Sequence, residues 1–453
     1  MLLPRADRTE PFWLSERDDA VADMQTRPAL PHEVDIVVVG SGLSGALAVH
    51  HLTKAGEQSG GQQQLLLLDA QRLCEGATAR NGGHCKPLTY LGFRAEAARH
   101  GAKTADEMYS FEAAHLAAYA ELVRSEDLDC DMHVTRACDV FMDGADAAEA
   151  KKDYDERKRL FPASMARDDV REVSDVDELA RMTGIKGGNS SPSARGKLDV
   201  FTHTPVHRID ESAPAGRGYT VVTDKGPVRT QSIIVCANAW TAGILPLFQD
   251  KIVPVRGTVC SVRPSANHRV GAQEGHGPLK MTYGIRHGPG EMDYTIPRQG
   301  RGRVPGMGDQ SIILGGAKGV FNRDLAAWYS NNDDATLIPG TREYFTSLLP
   351  RVFKDWKVQD GQGEVERIWT GVLGYSHDLL PYVGRMGPGL YVSAGFTGHG
   401  MPRIPACSEA VAHMALSELR QGTTPSKALA SPVNRILGAL GVPERAAARE
   451  SSL

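Results

Sequence analysis

The sequence is poor in cysteine, with seven such residues in a chain of 453. They are scattered, odd in number and contain no CxxC pair, so neither a disulfide framework nor a structural zinc site is indicated. We therefore predict free thiols in a reducing compartment and no metal centre. The cysteines are Cys74, Cys85, Cys130, Cys138, Cys236, Cys260 and Cys407.

Neither sign of charge dominates, and no long apolar run is present. The 51 Lys and Arg residues and the 55 Asp and Glu residues give a net charge of −4, which offers no electrostatic basis for binding nucleic acid or an anionic membrane. No apolar run approaches the roughly 20 residues that span a bilayer. The N-terminal stretch is charged where a signal peptide is apolar.

These absences are typical of a soluble globular protein, which we expect in the cytoplasm. The terminal Ser451-Ser-Leu453 loosely resembles the Ser-Lys-Leu peroxisomal address but lacks its central basic residue. A peroxisomal location through this weak signal is the alternative, and a frayed polar tail is the plainer interpretation. The length predicts about two to three domains.

The most informative feature present is a glycine turn that follows a buried-looking strand at residues 34–39. The turn reads Gly-Ser-Gly-Leu-Ser-Gly, and the apolar spacing after it predicts an amphipathic helix. Its glycines permit a tight turn, a close approach of backbone to a pyrophosphate, and close packing of helix on strand. A second strand ends at Asp69, where an acidic residue accepts ribose hydroxyls, although an ordinary surface aspartate is the alternative. The segment predicts a dinucleotide site.

The next part of the chain contains loops and helices. Residues 1–33 have several prolines and charges and an isolated Trp13, and they predict an arm laid over the body. Residues 71–88 are rich in glycine and short polar side chains, which is typical of a binding loop. The residue patterns at 94–124 and 151–182 have the period of a helix, and they predict helices there.

Short β-rich runs dominate from residue 200 onward. Runs at 201–209, 219–223 and 232–236 predict a β-meander, and runs between 251 and 319 suit a larger mixed or antiparallel sheet. A strand at Leu390–Ala394 then enters a second glycine turn and a helix. Two glycine turns at opposite ends of the chain are expected where distant segments contact one cofactor.

Four segments together resemble the D-amino-acid oxidase-like FAD oxidoreductases, the superfamily of glycine oxidase, sarcosine oxidase and γ-glutamylputrescine oxidase. The segments are residues 40–45 with Asp69, the loop Gly76-Ala-Thr-Ala-Arg-Asn-Gly-Gly-His-Cys85, residues 235–238 and residues 395–401. The resemblance covers nearly all of residues 33–425. It is strongest with the γ-glutamylputrescine oxidase-like branch and its fungal relatives, through the glycine-rich loop and the N-terminal arm.

This resemblance implies an α/β plus α+β fold. A Rossmann-type FAD-binding domain is interleaved with a substrate domain, which is built on a mixed or antiparallel sheet flanked by helices. We expect the N-terminal arm at 1–33. The remaining divisions are the FAD-binding domain at 34–100, 199–250 and 366–425, the substrate domain at 101–198 and 251–365, and a C-terminal tail at 426–453.

The resemblance also implies noncovalent FAD and the residues around it. Thr78 donates its hydroxyl to the pyrophosphate, and Val206 meets the adenine through its backbone. Residues 80–83 run beside the isoalloxazine, where backbone without side chains lets the ring approach. Residues 395–401 line its pyrimidine edge, with the positive end of the following helix aimed there. The full cofactor set is Gly40, Ser41, Gly42, Leu43, Ser44, Gly45, Asp69, Ala70, Gly76, Ala77, Thr78, Arg80, Asn81, Gly82, Gly83, His84, Val206, Ala237, Asn238, Gly371, Gly374, Gly395, Phe396, Thr397, Gly398, His399, Gly400 and Met401.

The expected reaction transfers hydride from a carbon next to an amine nitrogen to flavin N5, and dioxygen then reoxidises the flavin to give hydrogen peroxide. The expected substrate is a secondary amine or an amino-acid-derived, biosynthetic metabolite. No nucleic acid or membrane partner is expected.

Four residues are candidates for catalysis. His84 and His399 are the candidates near the ring, and for His399 a role in bonding local backbone competes equally. Tyr294 matches a family strand that faces the substrate, where its ring would form part of the pocket wall. A tyrosine packed in the core is the competing interpretation. Lys318 lies where sarcosine oxidases place an oxygen-activating lysine, although a solvated surface lysine is favoured.

Two departures from the family pattern affect the site. Sarcosine-type oxidases clamp the substrate carboxylate with a lysine after their Gly-His-Gly-Phe, whereas this chain has Pro402 followed by Arg403. The clamp is therefore missing or rebuilt. Residues 371–375 contain no cysteine for covalent FAD, and Cys85 or His84 is a minor alternative point of attachment.

Two further departures change the length of segments. Residues 185–198 are too rich in glycine and serine for the helix that relatives insert there, which leaves one face of the FAD-binding domain less covered. Either neighbouring segments repack, or a partner or substrate fills the gap. An insertion at 57–64 moves Asp69 beyond the usual spacing of about 20 residues.

Two other functions stand beside amine oxidation. One is an FAD-dependent dehydrogenation, isomerisation or cyclisation of a biosynthetic intermediate, which the lost clamp favours. The other is a non-catalytic FAD-binding protein, which the missing helix favours.

Overall fold

A computed structural model describes residues 3–16, 19–59, 63–128, 130, 132–170, 198–211, 218–268, 279, 281–298 and 310–421. Several features expected from the sequence lie outside these residues. They are the segment at 185–197 that was predicted to lack the family's helix, the helical spacing at 171–182, part of the insertion at 60–62, and the tail at 426–453 with its Ser-Ser-Leu end.

The described residues form two sheets with helices packed against them. The strands are β1 (Glu33–Val39), β2 (Leu65–Leu68), β3 (Ala137–Phe141), β4 (Leu198–Phe201), β5 (Val206–Glu211), β6 (Tyr219–Thr223), β7 (Gly226–Val235), β8 (Ile252–Val262), β9 (Thr282–Gly288), β10 (Glu291–Pro297), β11 (Ile312–Gly316), β12 (Val365–Ser376), β13 (Tyr382–Gly387) and β14 (Leu390–Ala394). The α-helices are α1 (Asp19–Ala22), α2 (Leu43–Ser59), α3 (Phe93–His100), α4 (Ala102–Ser125), α5 (Gly144–Leu160), α6 (Pro162–Arg167), α7 (Thr241–Ile244), α8 (Lys318–Phe321), α9 (Leu325–Trp328), α10 (Thr341–Val352) and α11 (Ile404–Gln421).

The first sheet contains a parallel core in the order β14-β7-β1-β2-β4, with β13 antiparallel at one edge. Residues 36–39 of β1 and all of β2 are continuous apolar runs, because a parallel sheet is covered on both faces. Strands β5, β6 and β7 form an antiparallel meander, as the sequence predicts. The carboxyl ends of β1, β2 and β7 therefore meet at one edge of the sheet.

The second sheet has the order β12-β8-β11-β10-β9-β3. All its pairs are antiparallel except β3 with β9, which agrees with the predicted mixed sheet. The predicted division of the chain into domains stays a prediction. It placed residues 366–425 in the FAD-binding domain, and β12 within that range pairs along its length with β8 of the second sheet.

Helices cover both sheets. Leu52 of α2 and Val411 of α11 share a buried core with the first sheet, and Phe111 of α4 joins that core. Helix α4 thus packs on the first sheet although the sequence placed it in the substrate domain. Phe345 of α10 packs against Leu314 on one face of the second sheet. In the part of the chain that the structure describes, no helix is both long and apolar enough to cross a bilayer.

The N-terminal arm lies across the glycine-rich loop that follows β2. Trp13 Nε1 donates a hydrogen bond to the carbonyl oxygen of Asn81 at 2.7 Å. Thr9 N donates to the carbonyl oxygen of Asp334 at 2.9 Å, and Phe12 is buried against the second sheet. The arm therefore joins the loop to the second sheet.

A buried ionic network fixes α4, α5 and α6 to one another. Arg157 of α5 is fully buried. It donates to Asp106 Oδ1 from Nε at 2.9 Å and from Nη2 at 2.7 Å, and its Nη1 donates to Asp168 Oδ2 at 2.9 Å. The carboxylates of both aspartates are almost completely covered.

Replacing Arg157 by alanine is expected to lower the free energy of unfolding by about 3–5 kcal/mol, because two buried carboxylates lose their partner. Urea unfolding followed by circular dichroism measures this loss. The control is Arg159→Ala in the same helix, whose exposed side chain pairs with Glu156 at the surface. That change is expected to cost less than about 1 kcal/mol. Equal losses in the two variants would contradict a stabilising role for the network.

Candidate active site

The glycine turn after β1 is built by backbone approaches that leave no room for side chains. Gly40 has a φ of +101°, and a Cβ there would lie 2.6 Å from the carbonyl oxygen of Cys236. A Cβ at Gly45 would lie 1.8 Å from the carbonyl oxygen of Gly40. These contacts bring the N-terminus of α2 to the ends of β1 and β7. Backbone N–H groups without a helical partner are therefore presented at this edge of the sheet.

Asp69 lies at the end of β2, beside the glycine turn. Its Oδ2 accepts hydrogen bonds from Ser41 N at 2.7 Å and Ser41 Oγ at 2.6 Å, and its Oδ1 accepts from Gln71 N at 2.8 Å. Burial raises the pKa of Asp69, and these hydrogen bonds oppose that shift. Ala70 follows directly. Asp69 thus occupies the position expected for ribose recognition.

The loop after β2 crosses the turn at Thr78. Its Oγ1 accepts a hydrogen bond from Leu43 N at 2.9 Å and would lie 3.0 Å from a Cβ at Gly42. The hydroxyl hydrogen stays available to a further acceptor. A small cavity lies between Gly76 and Ala77 of this loop and Trp240.

Ser44 is placed differently from its neighbours in the turn. Its buried hydroxyl lies 2.9 Å from Ser393 Oγ, and its carbonyl oxygen accepts a hydrogen bond from Ser408 Oγ at 2.9 Å. These contacts join α2 to β14 and α11. The side chain of Ser44 therefore packs in the core. Any contact of Ser44 with the cofactor, as predicted, would be made by its backbone.

The side chain of Arg80 is fully committed to the protein. Its Nη1 donates to the carbonyl oxygen of Thr370 at 2.7 Å, and its Nη2 donates to that of Thr9 at 2.8 Å. Burial lowers the pKa of Arg80 to about 10, against the opposing charge of Asp334. Trp369 Nε1 donates to the carbonyl oxygen of Arg80 at 2.9 Å. Arg80 thus fixes the loop between the arm and β12, and only its backbone is left for a cofactor.

Aromatic rings cover the two glycines that follow Asn81. A Cβ at Gly82 would lie 2.4 Å from Tyr294 Cε2, and a Cβ at Gly83 would lie 2.9 Å from Trp13 Cζ2. The missing side chains therefore make room for these two rings. Contact between the loop backbone and the flavin stays a prediction. The flavin would have to meet the side of this backbone that faces away from Tyr294 and Trp13.

Asn238 joins the second glycine turn to the end of β7. Its Oδ1 accepts hydrogen bonds from Gly395 N at 3.0 Å and Phe396 N at 3.3 Å. A Cβ at Gly374 would lie 2.8 Å from the same Oδ1, and Thr397 N donates to the carbonyl oxygen of Gly374 at 2.8 Å. Segments more than 150 residues apart thus meet at this point.

Gly371 provides a similar close approach in β12, where a Cβ would lie 3.0 Å from Arg80 Cβ. The structure therefore brings the predicted loops to one place.

Val206 is buried at the start of β5, two residues after Thr204, whose N donates to the carbonyl oxygen of Asp69 at 2.8 Å. The predicted positions next to these contacts are Ala237, Gly398, Gly400 and Met401.

His399 belongs to an ionic cluster that the sequence analysis missed. Its Nε2 lies 2.8 Å from Oε2 of Glu112, a buried residue of α4. Arg403 Nε donates to Glu112 Oε1 at 2.8 Å, and Leu88 N donates to Oε2 at 2.7 Å. Burial raises the pKa of Glu112, but His399 and Arg403 outweigh it and lower the pKa to about 2. Arg403 is therefore engaged and does not rebuild a free carboxylate clamp.

A signal for Glu112 was present in the sequence. It follows Met108 and Phe111 and precedes His115 on the buried face of α4. A charged residue on the apolar face of a helix is almost never buried without a partner.

His84 and Tyr294 lie together at the second sheet. Their ring centroids are 6.4 Å apart. Burial lowers the pKa of His84 to about 4, and the charge of Lys86 acts in the same direction. Lys318 stands apart, as the exposed first residue of α8, which agrees with a solvated surface lysine.

Residues 35–414 match the family described as DAO, FAD dependent oxidoreductase. The chain belongs to this family. The flavoenzyme is 23% identical over 388 residues to gamma-glutamylputrescine oxidoreductase of Escherichia coli (strain K12), a match that covers 81% of this chain and 80% of that protein. It is 22% identical over 418 residues to glycine oxidase of Bacillus licheniformis, with 84% and 93% covered.

Solved structures show the same fold. L-amino acid deaminase from Proteus vulgaris, with its specific insertion sequence deleted, has a TM-score of 0.58 at 16% identity and covers 90% of this chain and 94% of its own. Glycine oxidase from Geobacillus kaustophilus has a TM-score of 0.56 at 16% identity, with 88% and 98% covered. The predicted fold class of this flavoenzyme is confirmed.

FAD is the cofactor of the family, and the first sheet fits its adenosine diphosphate half. The turn excludes side chains at Gly40 and Gly45, the N-terminus of α2 suits a diphosphate, and Asp69 suits a ribose. Burial raises the pKa of Cys85 to about 12, so its thiol is a weak nucleophile. This supports the prediction that the flavoenzyme holds FAD noncovalently.

Replacing Thr78 by valine is expected to weaken FAD binding about tenfold, because Leu43 N loses its acceptor and the hydroxyl predicted to donate to the diphosphate is removed. Titration of the apoenzyme with FAD, followed by flavin fluorescence, measures the dissociation constant. Thr78→Ser keeps the hydroxyl and should bind like the wild type. An unchanged dissociation constant in the valine variant would show that Thr78 does not contact the cofactor.

The pH dependence of stability is expected to differ between the wild type and Glu112→Gln. The folded-state pKa of Glu112 lies well below its ordinary value of 4.5, so its ionised form stabilises the fold above that pH, and this contribution is lost as the pH falls towards 2. Urea unfolding at pH 6 and pH 3 should show a wild-type advantage that shrinks at the lower pH.

Glu121→Gln is the matched control, because Glu121 is an exposed residue of the same helix that pairs with Arg124. Its pH dependence should follow that of the wild type. A constant difference between the wild type and Glu112→Gln at both pH values would contradict ionisation of Glu112 in the folded protein.

Proposed function

We propose that this flavoenzyme oxidises amines: hydride passes from a carbon next to an amine nitrogen to flavin N5, and dioxygen reoxidises the flavin with release of hydrogen peroxide. The proposed substrate is a secondary amine or an amino-acid-derived metabolite. Similarity to gamma-glutamylputrescine oxidoreductase and to glycine oxidase supports this choice of reacting group.

The observation that carries the proposal is an uncharged histidine at the end of the glycine-rich loop. Burial lowers the pKa of His84 to about 4, so its imidazole is neutral at physiological pH and can accept a hydrogen bond from an amine N–H. Loss of hydride requires the free-base amine, since the nitrogen lone pair stabilises the positive charge left on carbon. A neutral His84 is therefore suited to bind and orient the free-base amine.

Neighbouring residues support the same assignment. Tyr294 stands beside His84 and packs on Gly82, where its ring can exclude water from the reacting carbon. Burial raises the pKa of Tyr294, so its hydroxyl stays neutral. On the other side of the site, Glu112 holds His399 at the second glycine turn, and α11 begins three residues after Met401. A helix N-terminus at this place favours negative charge on the cofactor.

A second candidate is an FAD-dependent dehydrogenation, isomerisation or cyclisation of a biosynthetic intermediate. The engagement of Arg403 by Glu112 favours it, because no amino-acid carboxylate is then bound at that place. Mass spectrometry separates the candidates, since amine oxidation followed by imine hydrolysis breaks the C–N bond and gives a carbonyl compound together with an amine or ammonia.

Amines are expected to bleach the visible absorbance of the bound flavin under anaerobic conditions, and oxygen is expected to restore it with one peroxide per cycle. His84→Asn is expected to lower kcat/KM about tenfold, because the amine loses the imidazole nitrogen as its hydrogen-bond acceptor. In the wild type, the decline of log(kcat/KM) with falling pH should steepen below about pH 4, where His84 becomes protonated, and this extra slope should be absent from His84→Asn.

His100→Asn serves as the control, because His100 is a surface residue at the end of α3 beside Glu96. Its rate and pH profile should match those of the wild type. A flavin that no amine of the panel reduces would reject the proposed reaction. Equal pH profiles in the wild type and His84→Asn would reject the role of His84 alone.

A further inference from the structure

Two consecutive carbonyl groups of the glycine-rich loop each accept a hydrogen bond from an indole. Trp369 Nε1 of β12 donates to the carbonyl oxygen of Arg80 at 2.9 Å, and Trp13 Nε1 of the N-terminal arm donates to that of Asn81 at 2.7 Å. The donors come from parts of the chain that lie 289 and 68 residues away from their acceptors. The planes of these two peptide bonds are therefore both fixed by tryptophan side chains.

The two indoles belong to one apolar core. Trp369 is fully buried and packs with Val259 and Ile313 of the second sheet. Phe12 of the arm completes this core, and Trp13 packs against it. The rings of Phe12 and Trp13 lie edge to face, with their centroids 5.4 Å apart. Because both indoles stand on this side of the loop, both carbonyl groups point towards the same core.

The N–H groups of the same two peptide bonds point the other way. In a planar trans peptide the C=O and N–H bonds are antiparallel, so a fixed carbonyl oxygen also fixes the amide hydrogen. Among the residues that the structure describes, neither Asn81 N nor Gly82 N donates to a protein acceptor. Gly82 is buried, and a buried N–H without an acceptor costs the free energy of a lost hydrogen bond. The pair of donors therefore points to a bound acceptor on the far side of the loop.

The indoles restrain a segment that could otherwise turn. Glycine takes positive and negative φ about equally, so the peptide between Asn81 and Gly82 can rotate at low cost. The side chain of Asn81 fixes the groups on either side: its Nδ2 donates to the carbonyl oxygen of Thr78 at 2.9 Å, and its Oδ1 accepts from Gly83 N at 2.6 Å. The bond from Trp13 to the Asn81 carbonyl oxygen then sets the orientation of the peptide between them.

We propose that Trp13 and Trp369 are positioning residues that aim the N–H groups of Asn81 and Gly82 at the isoalloxazine of FAD. Resemblance to the family implies the isoalloxazine beside this loop, and its N5 and carbonyl oxygens are hydrogen-bond acceptors. The tryptophans act through the backbone, from the side of the loop opposite the ring. The proposal concerns the cofactor and does not depend on the proposed amine oxidation.

The test follows a single amide signal, because the chain contains one Asn-Gly pair, Asn81-Gly82. Protein labelled with ¹³C at the asparagine carbonyl carbon and with ¹⁵N in glycine gives one signal in a carbonyl-selected NMR experiment, which is the N–H of Gly82. FAD binding to the wild type should shift its proton downfield and slow its hydrogen exchange about tenfold, since the amide gains an acceptor.

Trp13→Phe keeps an aromatic ring in the arm and removes the N–H donor. The FAD-dependent proton shift should be lost, and the dissociation constant of FAD should rise about tenfold. The ratio of the dissociation constants of oxidised and reduced FAD should also change about tenfold, or about 30 mV in the two-electron midpoint potential measured with dithionite. A change of either sign supports contact, because reduction makes a flavin carbonyl oxygen a better acceptor and turns N5 into a donor.

The matched control is Trp356→Phe. It removes the same kind of bond, from Nε1 to the carbonyl oxygen of Gly363 at 3.3 Å, in the core under α10. Its Gly82 signal, FAD affinity and potential should equal those of the wild type. Trp369→Phe is a second variant that should change affinity and potential as Trp13→Phe does. If the fully buried Trp369 cannot be replaced without unfolding, the partly buried Trp13 decides the test.

A Gly82 signal that is the same in the wild-type apoprotein and holoenzyme would overturn the proposal, because the amide then does not meet the cofactor. A FAD-dependent shift that persists in Trp13→Phe would also overturn it, because the indole then does not orient the amide. Lower thermal stability of Trp13→Phe with unchanged shift, affinity and potential would show a role in folding alone. A flavin that no amine reduces rejects the proposed function and leaves these measurements as they are.

Discussion

The fold depends on one close backbone approach, between Gly45 and the carbonyl oxygen of Gly40. Because no side chain intervenes, the first turn of α2 lies against the end of β1, and its free N–H groups come to the same edge as Asp69. The loop bearing Thr78 then docks on that helix through Leu43 N. Every later part of the site is positioned from this loop, so a methyl group at Gly45 would disturb all of it.

Side-chain hydrogen bonds and ion pairs hold together the segments that form the site between the two sheets. Most of the buried charges in these contacts have partners. Arg80 connects the loop to the arm and to β12, and Asn238 connects β7 to the second glycine turn. Glu112 reaches the site from α4 and neutralises His399 and Arg403. Buried charges are stable only when they are paired and hydrogen-bonded.

Local sequence patterns were sufficient for much of the fold and for the cofactor. The turn at 40–45, Asp69 and the meander depend on neighbouring residues, which the sequence displays directly. Strand order and ion pairing depend on residues far apart in the chain. For this reason the pairing of β12 with β8 was not foreseen, and the partnership of Glu112 with His399, 287 residues away, was missed. Gly82 and Gly83 were predicted to let the isoalloxazine approach, which stays a prediction, and the sequence could not show that the rings of Tyr294 and Trp13 lie against them.

The contacts of the N-terminal arm determine when it can fold during synthesis of the chain. Thr9 bonds to Asp334 and to Thr370, partners that lie 325 and 361 residues further along the chain. On the ribosome, where synthesis proceeds from the N-terminus and domains fold in turn, these partners do not exist until 325 and 361 further residues have been added. The arm is thus translated long before it can reach its native contacts, and the loop that it covers stays open on that side until both partners have been made.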